Sequence, residues 1–225
     1  MPASIPRLPL RDDLFLLGHD DDTGHPHVHQ QTLALGLAGA VLIDLYLAGR
    51  VTLDPNDDTR AAGHQRIHPH VDRPTGDLIA DAAAATIRGA HPLLRRWLRG
   101  FSDDLYDRTR AGLFAGGILR QYTRRRLGGL MRTDTYLPSD SRWAVIARSR
   151  LRYLAAGHEQ PNDHTAALAG LVADIGLTHH LYLDDDTPAM TSRLKAIAAQ
   201  HYQPVRDITA AVDAAVGDLA TAAYR

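Results

Sequence analysis

Thirteen histidines and no cysteine are the first chemical facts of this 225-residue chain. Three histidines alternate in His25-Pro-His27-Val-His29, and three more lie in His64-Gln-Arg-Ile-His68-Pro-His70. Alternate positions of an extended segment share a face, a spacing that could suit a metal. The HExxH pattern of helical zinc sites is absent, because His158-Glu159 is followed by Asn162 where the second histidine would stand. Asp20-Asp21-Asp22 starts like a calcium loop, but Gly24 comes one place early and Gln31 replaces the closing glutamate. The expectation is therefore no metal and no cofactor, with the histidines in solvated loops. The chain holds no GxSxG elbow, no GxxxxGK[ST] loop and no glycine-rich dinucleotide turn, so no enzymatic activity is expected. Asp44 is the one acid in a long apolar run. Burial would perturb it, either for chemistry or in an ion pair with Arg50 or an arginine of the basic middle.

The arginines are the second chemical feature. Residues 1–87 hold six Arg and 12 acids, a net −6; residues 88–152 hold 15 Arg and five acids, a net +10; residues 153–225 return to −5. A basic centre between acidic ends points to an anionic partner, lipid headgroups or nucleic acid, or else to internal pairing with the acidic ends. The sharpest cluster is Arg124, Arg125 and Arg126, followed by Leu127, Leu130 and Met131. Arginine beside exposed apolar side chains on a loop suits an anionic membrane interface, with Arg on phosphate and Leu or Met in the acyl boundary. The same three apolar residues could equally tuck onto the body or onto another subunit.

These residues need a scaffold, and the apolar run from Leu33 to Leu47 is its centre. Asp44 is the run's one charge, so a helix here is apolar on every side and must be buried. Fifteen apolar residues fall short of the ~20 of a membrane span. Gly36 and Gly39 each cost roughly 1 kcal/mol in a helix interior, a cost that close approach of another helix would explain. Before this run, Leu10–Leu17 reads as a short amphipathic helix. After it come a strand pair within Arg50–Val71, a helix capped by Asp77, and two helices over Pro92–Gly117 with Trp97, Leu98, Phe101, Leu105, Leu113 and Phe114 as their stripe. A β-hairpin is predicted for Ile118–Leu137, with its tip at 125–131. Helices then follow from Ser139, Thr165, Asp184 and Pro204. The predicted fold class is mainly α, a single helical domain over 1–225 with a buried central glycine-containing helix and short projecting hairpins. Lack of cysteine fits a reducing compartment, and the N-terminal residues carry no signal-peptide pattern.

Three stretches together carry a resemblance. LRDDLFLLG at 10–18, GLAGAVLIDLYLAGRVTL at 36–53 and PTGDLIADA at 74–82 resemble the Golgi phosphoprotein 3 family in order and spacing. FAGGILRQYTRRRLGGLMRTDTYLPSD at 114–140 looks like that family's helix-then-hairpin region, and the likeness spans roughly 8–200. The resemblance implies a peripheral membrane protein that binds phosphatidylinositol 4-phosphate and, in eukaryotes, retains Golgi glycosyltransferases through their cytoplasmic tails. The family's headgroup pocket uses a Trp and an Arg around the glycine helix and two Arg at a later apolar helix. Those positions fall here on His29, Ala38, Pro161 and His164, none of which matches. The expectation is a bacterial, cytoplasmic member, peripheral at the inner face of the membrane. Its expected partners are anionic lipids and possible cytoplasmic tails of membrane proteins, with a homo-oligomer through the 118–137 hairpin possible. The alternative is a winged-helix-like nucleic-acid-binding protein using the basic 88–152 segment.

Overall fold

The computed structural model describes residues 8–55, 62–71, 73–126, 131–181, 187–201 and 203–222, without the side chains of 124–126, 131–133 and 144. Its helices are α1 (Leu10–Leu17), α2 (Gln30–Leu47), α3 (Leu78–Ala90), α4 (Leu94–Ser102), α5 (Leu105–Ala115), α6 (Arg142–Ala155), α7 (Asp163–Asp174), α8 (Thr178–Leu181), α9 (Thr187–Ala199) and α10 (Gln203–Ala222). Two antiparallel pairs complete the described fold: β1 (Val51–Leu53) with β2 (Ile67–Pro69), and β3 (Leu119–Arg126) with β4 (Met131–Pro138). The mainly α class follows from this inventory.

Helix α2 is the axis of the molecule. Every residue from Leu33 to Ile43 is buried, and α1, α3, α4, α5, α7 and α10 pack around it. By length and hydropathy alone its 18 residues could cross a membrane, a longer stretch than the fifteen-residue run suggested; 67% of it is buried inside the protein. Its apolar surface is already covered by other helices. The two glycines have the predicted cause. A Cβ at Gly39 would lie 2.6 Å from Val212 Cγ2 of α10 and 3.1 Å from Leu171 Cδ2 of α7. One at Gly36 would lie 3.0 Å from Ile175 Cδ1, just past the end of α7. Side chains there would push helices apart by overpacking.

Local signals set most boundaries. Asp77 caps α3 by accepting from the N–H groups of Ile79 and Ala80, and Asn162 with Thr165 forms a reciprocal capping box at α7. Three expectations shift. Helix α6 starts at Arg142 rather than Ser139, with Asp140 accepting from the Arg142 N–H. Phe114 is 46% exposed instead of joining the core, and its ring meets Tyr136 of β4 edge-on at 5.9 Å. The β3–β4 ladder continues to Arg124↔Thr133, Arg125↔Arg132 and Arg126↔Met131. Arg124 is in the strand as predicted, whereas Arg125, Arg126 and Met131 also belong to strands and not to the tip, because pairing satisfies backbone groups that a longer loop would leave to water. Leu127 and Leu130 lie outside the described residues.

Candidate functional site

Three places on α2 gather polar groups, and each is built by a different neighbour. At its N-terminus, α4 and α5 lie alongside and enclose a cavity of about 270 Å³ lined by Gln30, Gln31, Arg99, Asp103, Tyr106 and Asp107 among others. Tyr106 is held from behind. His19 contacts the Phe15 carbonyl through Nδ1 and the Tyr106 hydroxyl through Nε2, both at 2.7 Å. Burial lowers the His19 pKa to about 4, so at neutral pH the ring is uncharged. Its Nδ1–H then donates to Phe15, which leaves Nε2 to accept the phenolic proton. Arg99, the one cation among the described lining residues, is ion-paired with Asp218 of α10, which Arg95 also meets.

At the other end of α2, an open depression of about 600 Å³ is lined by Leu8, Pro9, Asp44, Leu47 and Asn162–His164. His164 Nε2 lies 2.9 Å from Asp13 Oδ2, both buried. The Leu10 N–H donates to Asp44 Oδ2 at 3.0 Å. This N–H sits at the start of α1, whose N-cap, Pro9, makes no side-chain cap. Asp44 therefore does across the interface what a capping residue does locally. Burial raises its pKa to about 6, against the lowering effect of that bond and of nearby His164 and Arg11. Its partner is neither Arg50 nor an arginine of the basic middle, because α1 reaches it first.

The third place is the junction of α1 with α3. Arg11 donates from Nε to Asp12 Oδ1 at 2.8 Å, and from its two terminal nitrogens to the two oxygens of Asp77 at 3.1 and 2.9 Å. Burial alone would raise the Asp77 pKa, but Arg11 and the two N–H groups at the start of α3 hold it below the usual carboxylate range.

The chain matches the model of a family described as Golgi phosphoprotein 3 (GPP34) over residues 10–222. It belongs to the Golgi phosphoprotein 3 family. In this GPP34 protein the four positions of the expected headgroup pocket do not meet. His29 is the exposed N-cap of α2, its Nδ1 accepting from the Gln31 N–H at 3.3 Å, and Ala38 is fully buried. Pro161 is exposed in the loop before α7, while His164 lies by Asp44. Residues 29 and 44 are about 22 Å apart along a helix axis that rises 1.5 Å per residue. Sequence reasoning passed over the N-terminal cavity because it read α4 and α5 only for their apolar stripe. Arg99, Asp103, Tyr106 and Asp107, spaced at three and four, were the available signal.

The histidines stay scattered. His68 Nε2 bonds Asp54 Oδ1 at 2.8 Å, His27 stacks on His180 with centroids 4.8 Å apart, and His201 Nε2 lies 2.7 Å from Asp163 Oδ1. Among the described residues no three His, Asp or Glu side chains are grouped to hold a metal.

Proposed function

We propose that this GPP34 protein is a peripheral membrane protein that docks on anionic lipid through the β3–β4 hairpin and the arginines near it. The observation that carries this reading is the hairpin itself. Residues 119–138 hold five arginines against one acid, Asp134, and Asp134 accepts from the Thr123 hydroxyl. Arg120, Gln121 and Thr123 are exposed, and Tyr122 among them is 47% exposed, an aromatic–cation mixture suited to the headgroup layer. The hairpin is anchored at its base, where Arg110 lies over the Tyr136 ring at 5.0 Å.

Phosphatidylinositol 4-phosphate is not the favoured ligand of the cavity at the N-terminus of α2. A phosphomonoester there would meet one arginine already paired with Asp218, and the carboxylates of Asp103 and Asp107. Charge-assisted bonds are the strong ones in phosphate recognition, and this cavity offers few. The reading is therefore lipid-class attraction at the inner face of a membrane, with cytoplasmic tails of membrane proteins as possible clients and a second copy as a possible hairpin partner. It includes no catalysis.

Sedimentation with vesicles of phosphatidylcholine alone or with phosphatidylserine tests it. Each arginine near an anionic surface is worth about 1 kcal/mol, so replacing Arg120, Arg124, Arg125 and Arg126 with Ala should weaken binding by two to three orders of magnitude. Indifference to phosphatidylserine, or an unchanged quadruple variant, would sink the idea. A gel-shift arm at two salt concentrations covers the nucleic-acid alternative.

A further inference from the structure

Between the end of α2, the β1–β2 pair and α3 lies a cavity of about 180 Å³ whose lining includes Arg50, Arg73, Arg88, Thr75 and Asp81. We infer that this cavity is a binding site for a phosphate-bearing anion, either a lipid headgroup or a free phosphate, held by Arg50, Arg73 and Arg88. It is separate from the hairpin and does not depend on membrane docking.

The fold assembles the site from three segments. Gly49, with φ +64°, turns the chain at the end of α2 and brings Arg50 under the strand pair. The Arg50 carbonyl accepts from the His70 and Val71 N–H groups, which fixes its backbone against the end of β2. Arg73 and Thr75 come from the loop before α3, and Arg88 from the last turn of α3. Arg50 Nε is buried and has no hydrogen-bond partner. A buried guanidinium N–H is costly to leave unmade, so an acceptor belongs beside it.

Among the described lining residues Asp81 is the one acid, and it is already engaged. Its oxygens accept from the Thr75 N–H at 2.7 Å, the Thr75 hydroxyl at 2.8 Å and the Gly76 N–H at 3.3 Å. Among the described lining residues three arginines stand around this one carboxylate. Arginine presents a planar fork that matches phosphate oxygens in pairs, which makes phosphate the anion of choice over a simple halide. The volume falls below the ~300 Å³ of sites for drug-sized ligands, so the bound portion is a phosphate and its immediate attachment. Val71, also in the lining and 45% exposed, offers an apolar edge if the phosphate belongs to a lipid.

The full chain titrated with inorganic phosphate at low salt, followed by calorimetry, should show one saturable site. Arg73→Gln and Arg88→Gln should each weaken it at least tenfold, and Arg50→Gln should do the same. Arg73 is exposed, so its variant stays folded if Arg50→Gln does not. The four hairpin substitutions should leave phosphate binding unchanged, which separates this site from the membrane reading. Absence of saturable binding, or equal binding in Arg73→Gln and Arg88→Gln, overturns the proposal. Phosphatidic acid vesicles that compete with phosphate assign the site to a headgroup; vesicles that do not compete assign it to free phosphate.

Discussion

At the scale of single residues, Arg11 ties α1 to α3. Its side chain is 8% exposed and serves Asp12 and Asp77 together. Arg11→Met keeps the volume but strands two carboxylates, a change that costs about 3–5 kcal/mol where a buried pair is broken. For a domain of this size that is a fall in Tm of about 6–20 °C, measurable by thermal unfolding. Asp44 gives the opposite sign. Its folded pKa of about 6 exceeds the unfolded value, so the native state holds more protons between about pH 4 and pH 6. Stability from this group is therefore present at low pH and declines as pH rises through that window. Asp44→Asn keeps an acceptor for the Leu10 N–H and lacks the charge, so it should be more stable than wild type by up to about 3 kcal/mol above pH 6. The advantage should vanish near pH 4. His19, neutral when folded with a pKa of about 4, loses its contribution as pH falls from its unfolded value towards 4, the reverse trend over nearly the same range. The measurement is accordingly the variant-minus-wild-type difference from urea unfolding at several pH values; a difference that does not change with pH would refute the Asp44 assignment.

Helices are placed by what their small residues permit. Gly39→Ala gains roughly 1 kcal/mol of helix propensity but drives a Cβ to 2.6 Å from Val212, a β-branched side chain with little freedom to move. Overpacking of this kind costs about 1–3 kcal/mol, so the net change should be destabilising. Gly112→Ala in α5 is the control, since its Cβ would meet nothing within 4 Å, and it should gain up to about 1 kcal/mol. Equal effects at the two glycines in urea unfolding would refute the close-approach account of α2. Element by element, the limits of α1, the Asp77 cap and the 162–165 cap were legible because they rest on residues a few positions apart. The short helix α8 carries no comparable signal. The length of the β3–β4 ladder was misjudged because arginine-rich strands lack the alternation that marks a half-buried sheet.

Across the whole molecule, charge is redistributed by folding. Arg95 and Arg99 of the basic middle pair with Asp218 near the C-terminal end, and Arg148 reaches Asp21 near the N-terminal end at 3.2 Å. Pairing between segments, one of the readings of the +10 segment, is thus observed in part, while the hairpin carries five arginines in its sequence, of which Arg120 is exposed. Membrane association through those arginines should fall steeply between about 50 and 500 mM salt, as the Debye length shrinks below 10 Å. Retention at high salt in the sedimentation assay would mean an apolar rather than electrostatic contact. The three-arginine cavity shows the same redistribution in reverse, for Arg50 and Arg73 come from the acidic first 87 residues.

By itself, the chain's pattern of apolar runs, caps and glycines determined a mainly α domain around one buried helix, because those signals act within a few residues or demand burial on every side. Its motifs also carried the GPP34 family, now shown over residues 10–222. Only the tertiary structure decided the sites. Asp44 caps α1 across 34 residues, Tyr106 is braced by His19 from 87 residues away, and His29 and His164 stand at opposite ends of α2. Such contacts depend on which helix faces arrive at the same place, and local spacing does not encode that.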